Sequence, residues 1–163
     1  MKSDPAENIS LESVSTQKQA VYELAEESCK RLLIFSYALE PEFYDQPDFI
    51  NACKNMVLGH QQCHIKILVQ NNERLRNQEH RFIKLMQRLQ SRIELKLCHA
   101  DYRDHPETFL LSDYQGVFLK RTPGRTVATV YRNASRLNDE YSKLFFTAWD
   151  RSEYDITLRR LSL

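Results

Sequence analysis

Short apolar runs alternate with amphipathic stretches along most of the chain. From Thr16 the apolar positions recur at helical spacing. Ala20, Val21, Leu24, Ala25 and Ser28 share one face, and Glu23, Glu26 and Glu27 lie mostly off it, which predicts a surface helix. "RLLIFSYAL" (31–39) is almost unbroken apolar sequence, as expected of a strand covered on both faces. "EPEFYDQP" breaks that run. A second helix is predicted over 48–58, with Phe49, Cys53, Met56 and Val57 on one side and Gly59 at its end. "HIKILV" (64–69) is the second strand, "QNNE" turns the chain, and a charged helix carrying Phe82, Leu85, Met86 and Leu89 runs to about Ser91. "RIELKLC" (92–98) is the third strand.

Beyond residue 100 the pattern changes. "TFLLS", "VFLKR" and "TVATVYR" read as strands joined by short turns: "DYQG" suits a type I turn and "TPGR" a type II turn. A strongly amphipathic helix follows over 136–150, with Leu137, Tyr141, Leu144, Phe145, Ala148 and Trp149 on one stripe and Ser135 as its N-cap. Helix–strand alternation implies parallel crossovers, and the tight turns imply an antiparallel section. The predicted class is therefore α/β: a mixed, mostly parallel sheet flanked by helices, with an antiparallel hairpin near the C-terminus. Residues 1–12 read as a mobile tail and 13–163 as a single domain, with no assignment for the closing "DITLRRLSL".

Composition narrows the chemistry. A net charge of +1 gives no global field favouring nucleic acid or cations. No apolar run approaches the ~20 residues of a membrane span, and the four cysteines form no CxxC pair, so a cytoplasmic protein with reduced thiols and no membrane partner is expected. Cys63-His64 and Cys98-His99 suggest zinc. However, one pair opens a strand and the other closes one, which separates them by about 17 Å if the strands are parallel; no metal site is expected. Glycine loops for nucleotides, an acetyl-CoA pyrophosphate loop and a G-x-S-x-G elbow are missing, and no cofactor is expected. A local bias does stand out. Between Tyr114 and Arg136 lie Lys120, Arg121, Arg125, Arg132 and Arg136 with no acidic residue, a composition suited to phosphate oxygens or to a solvated hairpin surface.

The order of elements over about residues 16–155 resembles one half of the phospholipase D superfamily. The resemblance rests on "LLIFSYALEPEFY", "HIKILVQNN", "FLLSDYQGVFL" and the Phe145, Trp149, Ser152 pattern of "LFFTAWDRS". That family's signature is H-x-K-x-x-x-x-D, its histidine being the nucleophile on phosphorus and its lysine the phosphate-neutralising cation. Anchoring the register on Asp113 puts Pro106 at the histidine position and Thr108 at the lysine position. A slip of one residue reaches His105 but sets Glu107 in the lysine slot and, in a strand, reverses the face. The resemblance thus implies a catalytically inactive module binding a phosphate-bearing ligand or nucleic acid through Lys120, Arg121, Arg132, Asn133 and Thr108. A second reading is a phosphodiesterase using re-sited His105 or His99, oriented by Asp101, Asp104 or Asp113. A third is a structural protein, a homodimer or a partner of an acetyltransferase, since the chain is similar to small bacterial proteins of which some accompany acetyltransferase domains.

Overall fold

Leu32 and Ile34 pack on one side of their strand and Leu33 and Phe35 on the other, and all four are fully buried. Such a strand has to lie inside a sheet with a layer on each face. The computed structural model describes residues 7–121 and 126–159 and places this strand near the centre of an eight-stranded sheet. In chain order the elements are β1 (Glu7–Leu11), α1 (Val14–Glu27), β2 (Arg31–Ser36), α2 (Pro41–Tyr44), α3 (Pro47–Gly59), β3 (His64–Val69), α4 (Glu73–Asn77), α5 (Arg81–Arg88), β4 (Ile93–Leu97), β5 (Thr108–Ser112), β6 (Gly116–Lys120), β7 (Ala128–Arg132), α6 (Ser135–Arg151), β8 (Glu153–Tyr154) and α7 (Ile156–Arg159). Across the sheet the strands run β1-β7-β6-β5-β2-β3-β4-β8.

The mixed α/β class, the flanking helices and the hairpin are as the sequence predicts, but the balance of strand directions is not. Only β2–β3 and β3–β4 pair in parallel, and the other pairings are antiparallel. The parallel part is the block built by the first helical crossovers, and the antiparallel excess comes partly from edge strands too short or too polar to show a pattern. One is β1, which pairs with β7 and turns residues 7–11 from part of an expected mobile tail into an edge strand. The other is the two-residue β8, which comes just before the closing stretch that carried no assignment and that holds α7.

Other differences are local. The charged helix before β4 is two helices, α4 and α5, because His80 restarts the chain: its Nδ1 accepts the Phe82 N–H at 3.2 Å and caps α5. "EPEFYDQP" contains the short α2, entered through Pro41. The cap of α6 is Ala134, and Ser135 is the first helical residue. The "TPGR" turn and Arg125 lie outside the described residues.

One face of the sheet is covered by α1, α3 and α5 over a core that includes Phe49, Phe82, Ile65 and Leu110. The other face carries α6, which packs Phe145 and Trp149 on Leu33, Phe35, Phe109 and Leu119. No helix among the described residues is long and apolar enough to cross a membrane.

His80 also joins two parts of the fold. Its Nε2 donates to the carbonyl of Leu39 at 3.0 Å, and Leu39 is a fully buried residue in the left-handed region (φ 52°). The ring is needed neutral, with Nδ1 as acceptor and Nε2 as donor, and burial lowers its pKa. A histidine held below its unfolded value binds its proton more readily in the unfolded chain, so it costs stability as pH falls below about 6.5. Burial lowers His64 in the same direction. Urea unfolding of the wild type is expected to show falling stability from pH 7 to 5.5, with a smaller slope in His80→Asn, whose amide keeps the cap but does not titrate.

Candidate functional site

β2, β3 and β4 all finish at one end of the sheet, where α/β folds place their ligands. β5 starts at that same end, because it runs antiparallel to β2 with Phe109 beside Phe35. Residues 98–107 must therefore cross from β4 to β5 over the ends of β3 and β2. Gln70, buried at the exit of β3, holds this crossing: its Nε2 donates to the carbonyls of Tyr102 and His105, both at 2.9 Å. The His105 ring packs edge-on against Phe35 at 5.6 Å. Gln70 was not singled out from the sequence, where "QNNE" read only as a turn.

His105 and His99 both lie on this crossing, and both use Nδ1 locally. Nδ1 of His105 lies 3.1 Å from the Glu107 carbonyl and 3.2 Å from the Glu107 N–H, and Nδ1 of His99 accepts the Asp101 N–H at 3.1 Å. In His99, a neutral imidazole that accepts through Nδ1 carries its proton on Nε2, leaving no free lone pair to attack phosphorus. Asp101 pairs with Arg151 at 2.7 Å, and its carboxylate also lies 3.7 Å from His99 Nδ1. Glu107 accepts from Tyr141 Oη at 2.7 Å, and burial, with that hydrogen bond, raises the tyrosine pKa. Asp113 is at the far end of β5 and cannot orient either histidine.

The five predicted ligand residues divide between the two ends. Thr108 opens β5, with Lys120 directly opposite it on β6 and Arg121 next in the chain. Lys120 stacks over the Phe43 ring at 5.1 Å, and Arg121 donates to Tyr131 Oη at 3.2 Å. Among the described residues neither cation has a carboxylate in salt-bridge range. Arg132 and Asn133 are at the other end, because β7 runs antiparallel to β6 with Tyr131 beside Val117. There they border a cleft of about 440 Å3 with Lys30, Asp113 and Tyr114. Arg132 is engaged, with Glu27 at 2.6 Å and Glu23 at 3.1 Å taking both terminal nitrogens. The five residues therefore do not form one site, and Arg132 is held by its own acids.

Asp113 is a clamp. Its carboxylate accepts the N–H groups of Lys30 (2.8 Å), Arg31 (3.1 Å) and Cys29 (3.1 Å), and its own N–H donates to Arg31 O at 2.9 Å. It holds φ 49°, a conformation that aspartate tolerates better than most residues. The carboxylate also raises the pKa of the exposed Cys29 thiol beside it.

Cys63-His64 opens β3 and Cys98-His99 follows β4, so the two pairs lie at opposite ends of parallel strands. Burial pushes the Cys98 thiol to about 12. No group of three or more metal-ligating side chains is assembled among the described residues.

The chain belongs to the family described as a domain of unknown function, DUF7931, whose profile matches residues 13–161. No curated protein sequence matches it. Among solved structures it is similar to TrmBL2, described as an archaeal chromatin protein with a novel mode of DNA binding, at 15% identity and TM-score 0.66. That match covers 90% of this chain, which spans only 53% of TrmBL2. It is also similar to Nuc from Salmonella typhimurium, a phospholipase D family member (13% identity, TM-score 0.63, covering 92% of this chain and 97% of Nuc). NucT from Helicobacter pylori matches at 11% identity and TM-score 0.61, over 92% of this chain and 99% of NucT. At these identities the likeness establishes the phospholipase D-like fold.

Removing the clamp leaves three strand-entry amides without their acceptor. Asp113→Ala is expected to lower stability by about 1–3 kcal/mol, and Asp113→Asn by less, since Asn keeps one acceptor oxygen and tolerates the left-handed backbone. Urea titration of both variants measures the difference.

Proposed function

We propose that the chain is a non-hydrolysing phospholipase D-like module that binds a phosphate-bearing ligand, with nucleic acid as the favoured class. The observation that carries the reading is at the start of β5. Pro106 and Thr108 occupy the positions of the family's imidazole and ammonium, while Lys120, opposite Thr108, and Arg121 are cations with no carboxylate partner among the described residues. Charge for phosphate is thus retained on the neighbouring strand while the nucleophile is gone. The Nδ1 of His99, which accepts the Asp101 N–H, supports the loss of hydrolysis at that ring. The described DNA binding of TrmBL2 supports nucleic acid.

Nucleic-acid binding driven by phosphate contacts weakens steeply with salt, and each contact removed lowers the log–log slope by about 1. Fluorescence anisotropy with labelled single- and double-stranded oligonucleotides is expected to show binding that declines with added salt. Lys120→Ala with Arg121→Ala should lower the slope by about 2, whereas Arg132→Gln should leave it unchanged. Absent or salt-independent binding would overturn the reading. Hydrolysis of a chromogenic phosphodiester should stay at background; turnover that disappears in His99→Ala with His105→Ala would instead establish the phosphodiesterase reading.

A further inference from the structure

The strand-exit end holds a second feature, at the β4–β8 edge of the sheet. There β4, the start of the crossing segment, the end of α6 and the β8–α7 connection enclose a cleft of about 450 Å3. This is within the usual range for a small-molecule site. One wall is apolar: Leu97, Tyr154 and Ile156, with Tyr154 39% and Ile156 68% exposed. The lining also carries two cations, Arg103 and Arg151. Their circumstances differ. Arg151 is neutralised by Asp101 at 2.7 Å. Arg103 donates from Nε to the Cys98 carbonyl at 3.1 Å, which fixes the base of the side chain, and its terminal nitrogens have no protein partner among the described residues. A guanidinium held at Nε with both terminal N–H groups available presents a fork to a carboxylate or phosphate.

The acids bordering the cleft do not cancel this charge equally. Asp155 is buried and already accepts from Asn72 Nδ2 at 2.6 Å and from the Leu158 N–H at 3.2 Å. Glu153 is exposed and in no ion pair among the described residues, so it opposes an anion only through solvent. His99 closes the floor with Nδ1 engaged, which leaves Nε2 as a further N–H donor.

We infer that this cleft binds a small amphiphilic anion, a carboxylate or phosphomonoester with an aromatic or short aliphatic tail. Arg103 grips the charged head, and Tyr154 and Ile156 receive the tail. The site is separate from the Lys120–Arg121 pair on β6 and does not depend on it.

Titration of the full chain with phenyl phosphate and benzoate, followed by calorimetry and amide NMR shifts, tests the inference and separates the two head groups. At least one of the two should bind in the range below about 10 mM, with shifts at residues 97–103 and 153–156. Inorganic phosphate and benzyl alcohol, each matching one wall only, should bind at least about tenfold more weakly. Arg103→Gln should weaken binding about tenfold or more, and Ile156→Ser severalfold, both with wild-type melting curves. If Arg103→Gln melts early, Arg103→Lys keeps the charge without the fork and should still weaken binding. Absence of binding by either amphiphile, or binding indifferent to both Arg103 substitutions, overturns the inference. Lys120→Ala with Arg121→Ala should leave this binding intact, so failure here and failure of nucleic-acid binding are independent results.

Discussion

Three consecutive amides at the entry to β2, those of Cys29, Lys30 and Arg31, converge on the Asp113 carboxylate, and the second half of the sheet is positioned by that convergence. A strand entry in the middle of a sheet has few acceptors within reach, and backbone amides left without one cost stability. One carboxylate at a hairpin turn meets the need. It also fixes the hairpin against β2, with Leu111 beside Leu33 and Phe109 beside Phe35. Once that register is set, the residues at the opposite end of β5 have no freedom: Thr108 opens the strand, with Pro106 just before it.

The same register explains why the strand-exit end is roofed. β4 ends beside β3, but β5 has to begin beside β2, so the connection crosses the very strand ends where ligands usually sit. The crossing is held by Gln70, a buried amide that satisfies two carbonyls of the segment, and by the His105–Phe35 contact. Neither histidine of the crossing is free to work as a base through Nδ1, because each closes its own short turn. What is left open lies on either side of the roof: the Lys120–Arg121 pair towards β6, and the Arg103 cleft towards β4.

The parts of the fold legible in the sequence are those whose signal is burial. β2 and β5 are largely apolar on both faces, β3 is apolar on one through Ile65, Ile67 and Val69, and α6 carries a long stripe, so their positions follow from local pattern. β1 and β8 were not legible, because an edge strand is specified by its partner rather than by its own residues; Ile9 is 59% exposed within β1. The split between α4 and α5 depends on a histidine acting as a cap, a role in which Ser, Thr, Asp and Asn are the usual residues. The candidate site was half legible. Counting from Asp113 put Thr108 at the family's lysine position, and the structure sets it across from Lys120, but a basic run in sequence is not a basic site in space. Arg132 is neutralised by Glu23 and Glu27, about a hundred positions earlier on α1, while Arg121 donates to a tyrosine hydroxyl and is in no ion pair among the described residues.

The signature aspartate and the signature lysine therefore carry different kinds of information. Asp113 answers a requirement of the backbone that exists whether or not any phosphate is bound, so its presence reports the fold. Position 108 answers a requirement of the ligand. It faces Lys120 directly across an antiparallel pair, where two like charges would repel each other unless an anion lay between them. With threonine at 108, Lys120 can remain charged in that position at no such cost, and it stacks on Phe43 of α2. In the proposed reading, the cation for this end of the sheet is supplied from β6 rather than β5. That arrangement would keep attraction for phosphate without the alignment of nucleophile and cation on a single strand that in-line attack requires.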